Sequence, residues 1–304
     1  MNKKINFNFV KINCPICVNS SLKNIGLRGG KYQRFGLGVE TTIVKCKTCS
    51  LIFPNPFPFP INLNEIYANE EEFFSEKKSW EHLKEIHGKP LVKKFIERMN
   101  LQRPISILDI GSGRGEFIAA CKGFKEVKSI GIEVSDEFIK FAKKKGIHLY
   151  KKELKEFVNE NIYFDGICLS GVIEHVHDPN KLIKEASNLM KRNGVLYIDC
   201  SNEPHLLSII GNIYNKVTLN KGVFNLQPTW NPFHVFGFNP KSLKILLEKH
   251  SLKIEETLIW ANPKIKSSNS FNDKIKCGIA TQINKIANMT KLASNMIVWA
   301  RKTD

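Results

Sequence analysis

The stretch from Ile105 to Cys121 constrains the fold of this chain more than any other part of its sequence. Ile105–Ile110 has the length and apolar character of a buried strand, and Glu116–Cys121 has the pattern of a helix start. Between them lies the glycine-rich loop Gly111–Gly115. Glycines let the backbone turn tightly and approach a ligand, and the first N–H groups of a helix have no partner within it. Together these features predict a ligand-binding turn in an α/β fold.

Strands and helices alternate after this loop. The later strands are predicted at residues 129–133, 147–150, 164–169, 194–199, 254–260 and 295–300. Helices are predicted between the earlier of these strands, at residues 136–145, 154–158 and 180–191. This order predicts an α/β, Rossmann-like domain whose mostly parallel, seven-stranded sheet is covered on both faces.

Two Cys-x-x-Cys pairs lie near the N-terminus. The first pair is Cys14 and Cys17, and the second is Cys46 and Cys49. Each pair fits on a tight turn, so the two together can offer four thiolates to one tetrahedral Zn²⁺. Four protein ligands leave no open position, which favours a structural zinc ribbon over a catalytic metal. A redox site would need only one pair, and disulfides would fit poorly with a chain that starts without a leader peptide.

Several motifs resemble those of class I S-adenosylmethionine-dependent methyltransferases. The run from Leu108 to Gly115 resembles the first motif of that family. The run from Leu169 to Val176, followed by Asp178-Pro179, resembles the motif after the fourth strand. Gly194–Ile198 is similar to the fifth strand, and His234–Phe238 is similar to a segment of many small-molecule methyltransferases.

The resemblance extends over roughly residues 104–260. The cysteine-rich front module, which ends in Asn55-Pro56, resembles more loosely that of bacterial methyltransferases from sugar and cell-surface glycan pathways. The resemblance therefore implies a small polar methyl acceptor, foremost a sugar or a cell-surface glycan intermediate.

The resemblance also implies which residues bind S-adenosylmethionine. The expected set is Asp109, Gly111, Ser112, Gly113, Glu133, Glu153, Ser170 and Gly171. Asp109 and the glycine loop would line the amino-acid end of the cofactor, and Glu133 would accept hydrogen bonds from its ribose. Glu153 would approach the adenine amino group, and Ser170 and Gly171 would lie under the methionine part.

His175 and His234 are the candidate catalytic residues. Methyl transfer mainly needs a nucleophile aligned with the methyl carbon, but an oxygen or carbon nucleophile often also needs a general base. His175 follows a parallel strand, where the sites of such sheets form, and His234 precedes a late helix. Both also have structural interpretations, His175 as a helix cap or a structural hydrogen-bonding residue and His234 as a packing residue.

Two other functions remain as alternatives for this half. A nicotinamide-dependent dehydrogenase would use the same glycine loop and the same acid. However, Asp109 stands where a dehydrogenase usually has an apolar residue, and the run Glu174–Pro179 has no dehydrogenase counterpart. A non-catalytic scaffold protein would keep the fold and the cofactor pocket and bind its partner through the zinc module. The intact Asp109, glycine loop and Glu133 argue against it.

The net charge of +17 raises the question of nucleic acid binding. The lysines are spread along the chain, which favours a generally basic surface or an anionic small substrate such as a nucleotide-sugar. An RNA methyltransferase is the rival within enzymes. Its contacts would come from basic and aromatic residues of the ribbon, which are Arg28, Lys31, Tyr32, Arg34, Phe35, Lys45 and Lys47.

We predict a zinc ribbon at residues 1–58, a linker and helix at 59–103, and the Rossmann-like domain at 104–304. Insertions are predicted near residues 201–232 and 263–294. The first is expected to form a lid or acceptor pocket, or a helical pair that completes the core, and its apolar and lysine residues also allow contact with a membrane surface.

No apolar run approaches the roughly 18–20 residues of a membrane-spanning helix, and the first residues lack the apolar centre of a signal peptide. We therefore expect a cytoplasmic location. The oligomeric state is left open by the sequence.

Overall fold

In the computed structural model of the protein, the described residues are 6–33, 36, 38–62, 66, 79–227, 233–263 and 271–303, without the side chains of 271–276. Arg34, Phe35 and residues 228–232 and 264–270 of the predicted insertions lie outside them. The strands are β1 (Phe7–Val10), β2 (Leu22–Arg28), β3 (Thr41–Cys46), β4 (Ile52–Pro54), β5 (Phe57–Pro60), β6 (Ile105–Ile110), β7 (Val127–Ile132), β8 (Phe164–Ser170), β9 (Met190–Ser201), β10 (Leu252–Trp260) and β11 (Asn295–Lys302).

The α-helices are α1 (Trp80–Leu83), α2 (Lys89–Met99), α3 (Glu116–Cys121), α4 (Asp136–Lys144), α5 (Leu154–Asn159), α6 (Pro179–Leu189), α7 (Leu206–Val217), α8 (Pro240–Glu248) and α9 (Phe271–Met289). A π-helical turn, Lys84–Gly88, joins α1 to α2.

The main sheet has the strand order β10-β11-β9-β8-β6-β7. Strands β7, β6, β8 and β9 are neighbours in that order and are parallel to one another. Strand β11 runs antiparallel to both β9 and β10. The predicted Rossmann-like, mostly parallel α/β fold is confirmed. The described part of the sheet has six strands rather than seven, because residues 147–150 form only an isolated bridge between Tyr150 and Ile132. The chain turns away at once, since Glu153 already caps α5.

The central strands are apolar on both faces because helices cover both faces. On one face Leu108, Ile167 and Leu196 share a cluster with side chains of α6 and α8. On the other face Ile107 and Val195 pack with side chains of α2, α3 and α4. Because β6, β7, β8 and β9 are parallel, their carboxyl ends lie together at one edge of the sheet.

The cysteine-rich module contains the three-stranded sheet β2-β3-β4 and the pair β1-β5. It packs directly on the Rossmann-like part. Ile52 and Gly237 exchange two backbone hydrogen bonds of 3.1 and 2.8 Å, and the fully buried ring of Phe57 stacks on Phe236 with 5.3 Å between ring centroids. One hydrophobic core therefore runs through both parts. The domain boundaries at residues 58 and 103 stay a prediction.

The described part of the first insertion consists of α7 and an irregular segment after it. This segment packs on the ribbon, because Leu27 N–H donates to the Lys221 carbonyl and Val223 N–H donates to the Leu27 carbonyl, each over 2.9 Å. Only one helix is described here, not the helical pair considered from the sequence.

Candidate active site

A cavity of about 900 Å³ lies at the carboxyl ends of β6, β7, β8 and β9. Ligand sites typically measure about 300–1,000 Å³, so this one is large. All the residues predicted to bind the cofactor line it, namely Asp109, Gly111, Ser112, Gly113, Glu133, Glu153, Ser170 and Gly171. None of the described residues of the first insertion does, so the part of the insertion that is described forms neither a lid nor a wall of this cavity.

The glycine loop follows β6 and is held against β7. The N–H groups of Gly111 and Ser112 both donate to the Ile132 carbonyl over 3.0 Å. Gly111 has a φ of +71°, and a Cβ there would lie 2.6 Å from the Cγ2 atom of Val172. Only glycine meets both constraints. The Ser112 hydroxyl donates to the Asp109 carbonyl over 3.0 Å, which closes the turn.

Glu133 stands just after β7 with its carboxylate fixed by three backbone N–H groups. Gly113 donates to one oxygen over 2.8 Å, and Val134 and Ser135 donate to the other over 2.7 and 2.9 Å. Burial raises the pKa of Glu133, while these three donors lower it. A buried carboxylate held this rigidly keeps acceptor capacity for hydroxyl groups of a ligand.

Asp109 is 3% exposed, and burial raises its pKa to about 7. Hydrogen bonds with the side chains of Ser112 and Cys168 lower the pKa, and the carboxylates of Glu133 and Glu116 raise it. The side chain can therefore ionise near neutral pH, and a cation in the cavity would favour its charged form.

Glu153 and the end of β8 complete the predicted set. Glu153 is the N-cap of α5 at the rim of the cavity, where its exposed carboxylate also pairs with Lys155 over 2.8 Å. Ser170 ends β8, and Gly171 N–H donates to the Asp199 carbonyl over 2.8 Å.

A second wall was not foreseen from the sequence. It contains Tyr197 and Asp199 of β9 and Trp260 of β10. Burial raises the pKa of Asp199 to about 6. The Trp260 indole N–H is buried and has no hydrogen-bond partner among the described residues, so an acceptor on a ligand would satisfy it. Asp199 could have been found, since it lies at the carboxyl end of a parallel strand.

The two predicted catalytic histidines are neighbours, with 4.9 Å between their ring centroids. His175 lines the cavity, and His234 does not. The Nδ1 atom of His175 lies 3.3 Å from the Phe233 carbonyl oxygen, which can only accept, so Nδ1 carries the proton and Nε2 the lone pair. Burial lowers the pKa of His175 to about 4. The imidazole is therefore neutral at physiological pH.

His234 lies behind His175, with its Nδ1 atom 3.2 Å from the Ser201 hydroxyl. Its pKa is lowered well below the usual range by burial, and further by the nearby His175 and Arg28. The helix-cap interpretation of His175 is wrong, because the side chain of Asp178 caps α6 by accepting from Lys181 N–H over 2.8 Å.

Glu174 is also buried beside the histidines, and burial raises its pKa to about 8. The ligand atoms of Glu174, His175 and His234 lie within 4.8 Å of one another, which is close enough for a metal ion. One Glu174 carboxylate oxygen, Oε2, has no partner among the described residues.

The four cysteine sulfurs of the ribbon lie within 4.8 Å of one another. Cys14 and Cys49 are 3.4 Å apart and Cys17 and Cys46 are 3.5 Å apart, close to the roughly 3.8 Å expected between thiolates on a tetrahedral Zn²⁺. Their shared hydrogen bond lowers the pKa of Cys14 and raises the pKa of Cys49, so Cys14 ionises first. The set fits one structural Zn²⁺.

The two cysteine turns are built alike. In each turn the fourth residue after the first cysteine donates its N–H to the carbonyl of that cysteine. Val18 donates to Cys14 over 2.9 Å, and Ser50 donates to Cys46 over 3.0 Å. Both residues adopt a left-handed φ, of 59° and 66°. This repetition brings the sulfurs of each pair to the same side.

Arg28 does not serve as the RNA contact considered from the sequence. It is 2% exposed, and its guanidinium donates to the carbonyls of Leu226 and His234 over 2.5 and 2.8 Å. The ribbon therefore supports the backbone of the segment that carries His234. Arg34 and Phe35 of the same hypothesis lie outside the described residues.

A family model described as a methyltransferase domain matches residues 80–257, more than half of the chain. The chain belongs to this methyltransferase family. The resemblance seen in the sequence to class I S-adenosylmethionine-dependent methyltransferases is thereby confirmed. The match begins at α1, ahead of the first strand of the main sheet.

Individual relatives of the methyltransferase are distant. A ubiquinone biosynthesis O-methyltransferase from Pelagibacter ubique is 29% identical over 150 residues, which are 45% of this chain and 60% of that protein. An uncharacterized protein from Methanocaldococcus jannaschii is 31% identical over 36% of this chain and 49% of its own length. The solved structure of a SAM-dependent methyltransferase from Archaeoglobus fulgidus has a TM-score of 0.48 at 24% identity, over 78% of this chain and 99% of that chain.

Proposed function

We propose that this methyltransferase transfers the methyl group of S-adenosylmethionine to a small polar acceptor held in the same cavity. The observation that carries the proposal is the convergence of the glycine loop, Glu133, Glu153 and the end of β8 on one cavity that also contains His175. Its volume of about 900 Å³ is near the upper end of the usual range for ligand sites, so a cofactor and a small acceptor could share it.

The cavity fits S-adenosylmethionine at three points. Glu133 would accept hydrogen bonds from the ribose hydroxyls, and Asp109 would pair with the ammonium group of the methionine part. Glu153 at the rim would accept from the adenine amino group, next to the apolar side chains of Phe138 and Leu154. When bound, the cofactor supplies an electrophilic methyl carbon, and the protein orients the acceptor and excludes water.

His175 is our candidate for the general base. Its Nε2 lone pair could take the proton of an acceptor hydroxyl and so make that oxygen a better nucleophile. An oxygen acceptor is supported by the name of the Pelagibacter ubique relative, an O-methyltransferase. Within the class of small polar acceptors we keep a sugar or cell-surface glycan intermediate as the leading proposal, supported by the loose likeness of the front module.

Titration calorimetry of the zinc-loaded protein with S-adenosylmethionine, S-adenosylhomocysteine and NADH tests the cofactor first. Binding of the first two in the micromolar range supports the proposal, and binding of NADH alone overturns it. Nucleotide-sugars, aromatic alcohols and RNA are then offered as methyl acceptors. Methylation of RNA alone would favour the rival function, and tight cofactor binding without any acceptor would favour a scaffold protein.

A cytoplasmic location stays a prediction, and none of the helices in the described ranges could cross a membrane.

Replacing His175 by Asn is expected to lower kcat by roughly 10²–10⁴-fold, the usual contribution of a general base. Affinity for S-adenosylmethionine should change little, because the base contacts the acceptor. The same substitution at the exposed His148, outside the cavity, should leave kcat unchanged. An H175N variant with full kcat would remove His175 from the mechanism.

Affinity for S-adenosylmethionine is expected to rise with pH up to about 7, by at most about tenfold per pH unit. The pKa of Asp109 is about 7 in the ligand-free protein, and pairing with the cofactor ammonium lowers it, so binding below pH 7 releases a proton. In the ligand-free protein the same raised pKa makes the free energy of unfolding fall as pH rises from about 4 to 7.

Calorimetry at pH 6 in buffers of different ionisation enthalpy measures this proton release directly. In an Asp109→Asn variant the release should disappear. Equal release in the wild type and in the variant would show that another group titrates on binding.

A further inference from the structure

Helix α7 exposes most of its apolar side chains, while its only buried residues are small or polar. Leu207, Ile213, Tyr214 and Val217 are 51, 59, 64 and 77% exposed. The buried residues of the same helix are Ser208, Gly211 and Asn215. A surface helix of a globular protein normally has the opposite arrangement, with its apolar stripe on the core.

Specific contacts fix this orientation. The Asn215 side chain donates to the Gly222 carbonyl over 2.7 Å. The Asn212 side chain donates to the Asn225 side chain and accepts from Phe224 N–H, each over 2.8 Å. A Cβ at Gly211 would lie 2.5 Å from the Phe224 ring, so the ring packs directly on the helix backbone. The helix therefore cannot roll to bury its apolar side without breaking these bonds.

Exposed apolar side chains also lie near both ends of α7. Leu219, just after the helix, is 91% exposed. The end of α9 lies beside the start of α7, where Leu206 N–H donates to the Leu292 carbonyl over 2.8 Å, and it exposes Met289 at 85%. A run of outward apolar side chains of this extent is more than the single exposed residues found on most surfaces.

Positive charge borders this apolar surface. A groove between α7 and the ribbon is lined by Lys23, Lys45, Lys216 and Lys221, and none of the described residues that line it is Asp or Glu. The sequence has no acidic residue from Pro204 to Leu247. Outward apolar side chains next to lysines are the pattern of helices that lie in the interface of an anionic bilayer.

We propose that α7 and the lysine-lined groove dock on the surface of a bilayer that contains anionic phospholipid. The outward side chains of α7 then lie at the boundary between the lipid headgroups and the acyl chains, and the lysines contact the lipid phosphates. A second copy of the chain joined by the same face would bring the lysine grooves of both copies together, and RNA would leave the apolar side chains in water. Since α7 follows β9, which carries Asp199 of the cavity, docking holds the cavity close to the bilayer surface.

Sedimentation of the zinc-loaded full chain with vesicles tests the docking. Vesicles of phosphatidylcholine and phosphatidylglycerol in equal parts should bind the protein, and pure phosphatidylcholine vesicles should bind it about tenfold or more weakly. The double variant Ile213→Ser/Val217→Ser should lose roughly tenfold or more of the binding to mixed vesicles, since two side chains no longer leave water. The matched change Ile61→Ser, at another exposed isoleucine, should leave binding unchanged.

The lysines are tested separately. Lys216→Gln/Lys221→Gln should weaken binding to mixed vesicles roughly thirtyfold, which corresponds to about 1 kcal/mol for each lysine. Lys125→Gln/Lys128→Gln, at two exposed lysines elsewhere, should leave it unchanged. All variants should bind S-adenosylhomocysteine as the wild type does, which controls for folding. Equal binding to both kinds of vesicle overturns the proposal. So does a dimer that the serine variants dissociate, or RNA binding that they abolish.

Discussion

Removing the metal from the cysteine ribbon is expected to destabilise the whole chain, not the ribbon alone. Replacing Cys46 by Ser, or treating the protein with a strong chelator, should lower the melting temperature by about 10 °C or more. Cys46 and Cys49 belong to the same hydrophobic core as Leu108 and Leu196 of the main sheet. Without the metal the four sulfurs are no longer held together, so the part of the shared core that the ribbon contributes loses its packing.

Differential scanning calorimetry measures this effect, with zinc content determined for each sample. Cys277→Ser, a partly exposed cysteine outside the ribbon, is the matched control and should melt as the wild type does. Two separate melting transitions, with cofactor binding intact after chelation, would mean that the ribbon folds as an independent domain.

Replacing Glu133 by Gln is expected to weaken binding of S-adenosylmethionine by roughly 100-fold or more. The substitution removes the charge that would receive the ribose hydroxyls, and hydrogen bonds to a charged group contribute about 1.5–3 kcal/mol each. In the wild type both carboxylate oxygens of Glu133 accept hydrogen bonds from backbone N–H groups. In the variant the NH₂ group of Gln would face one of these donors and could not accept its hydrogen bond. The effect thus combines a lost ligand contact with a disturbed glycine loop.

Glu153→Gln provides the matched control, because Glu153 lines the same cavity from its exposed rim. A Gln oxygen can still cap α5, and solvent weakens any contact with the adenine amino group, so affinity should fall less than about fivefold. Calorimetry measures both variants, with melting curves to confirm folding. Equal losses in the two variants would contradict the roles given to these acids.

The residues at the cofactor end of the cavity could be predicted because chain order alone brings them together. Asp109, Gly113, Glu133 and Ser170 each follow or end a parallel strand, and such ends meet at one edge of the sheet. The parallel sheet and the cysteine cluster followed from patterns of the same local kind.

The rest depends on contacts that are distant in sequence. Trp260 reaches the cavity only because β10 pairs with β11, which pairs with β9. Arg28 has the charge of a nucleic acid contact, and only the fold shows that it binds carbonyls about 200 residues away. Residues 147–150 do not form a seventh strand because their pairing with β7 is too short. Only two backbone hydrogen bonds, both at Tyr150, form before the chain turns into α5.

The buried Arg28 also bears on how such a chain can be taken apart or recombined. A chimera that exchanged residues 1–58 for the ribbon of a relative would need an arginine in the same place, together with the receiving carbonyls of Leu226 and His234. Without the arginine, those buried carbonyls would lose their donor. Ribbon and catalytic half should therefore be inherited as a pair, with coordinated rather than independent sequence change across their junction.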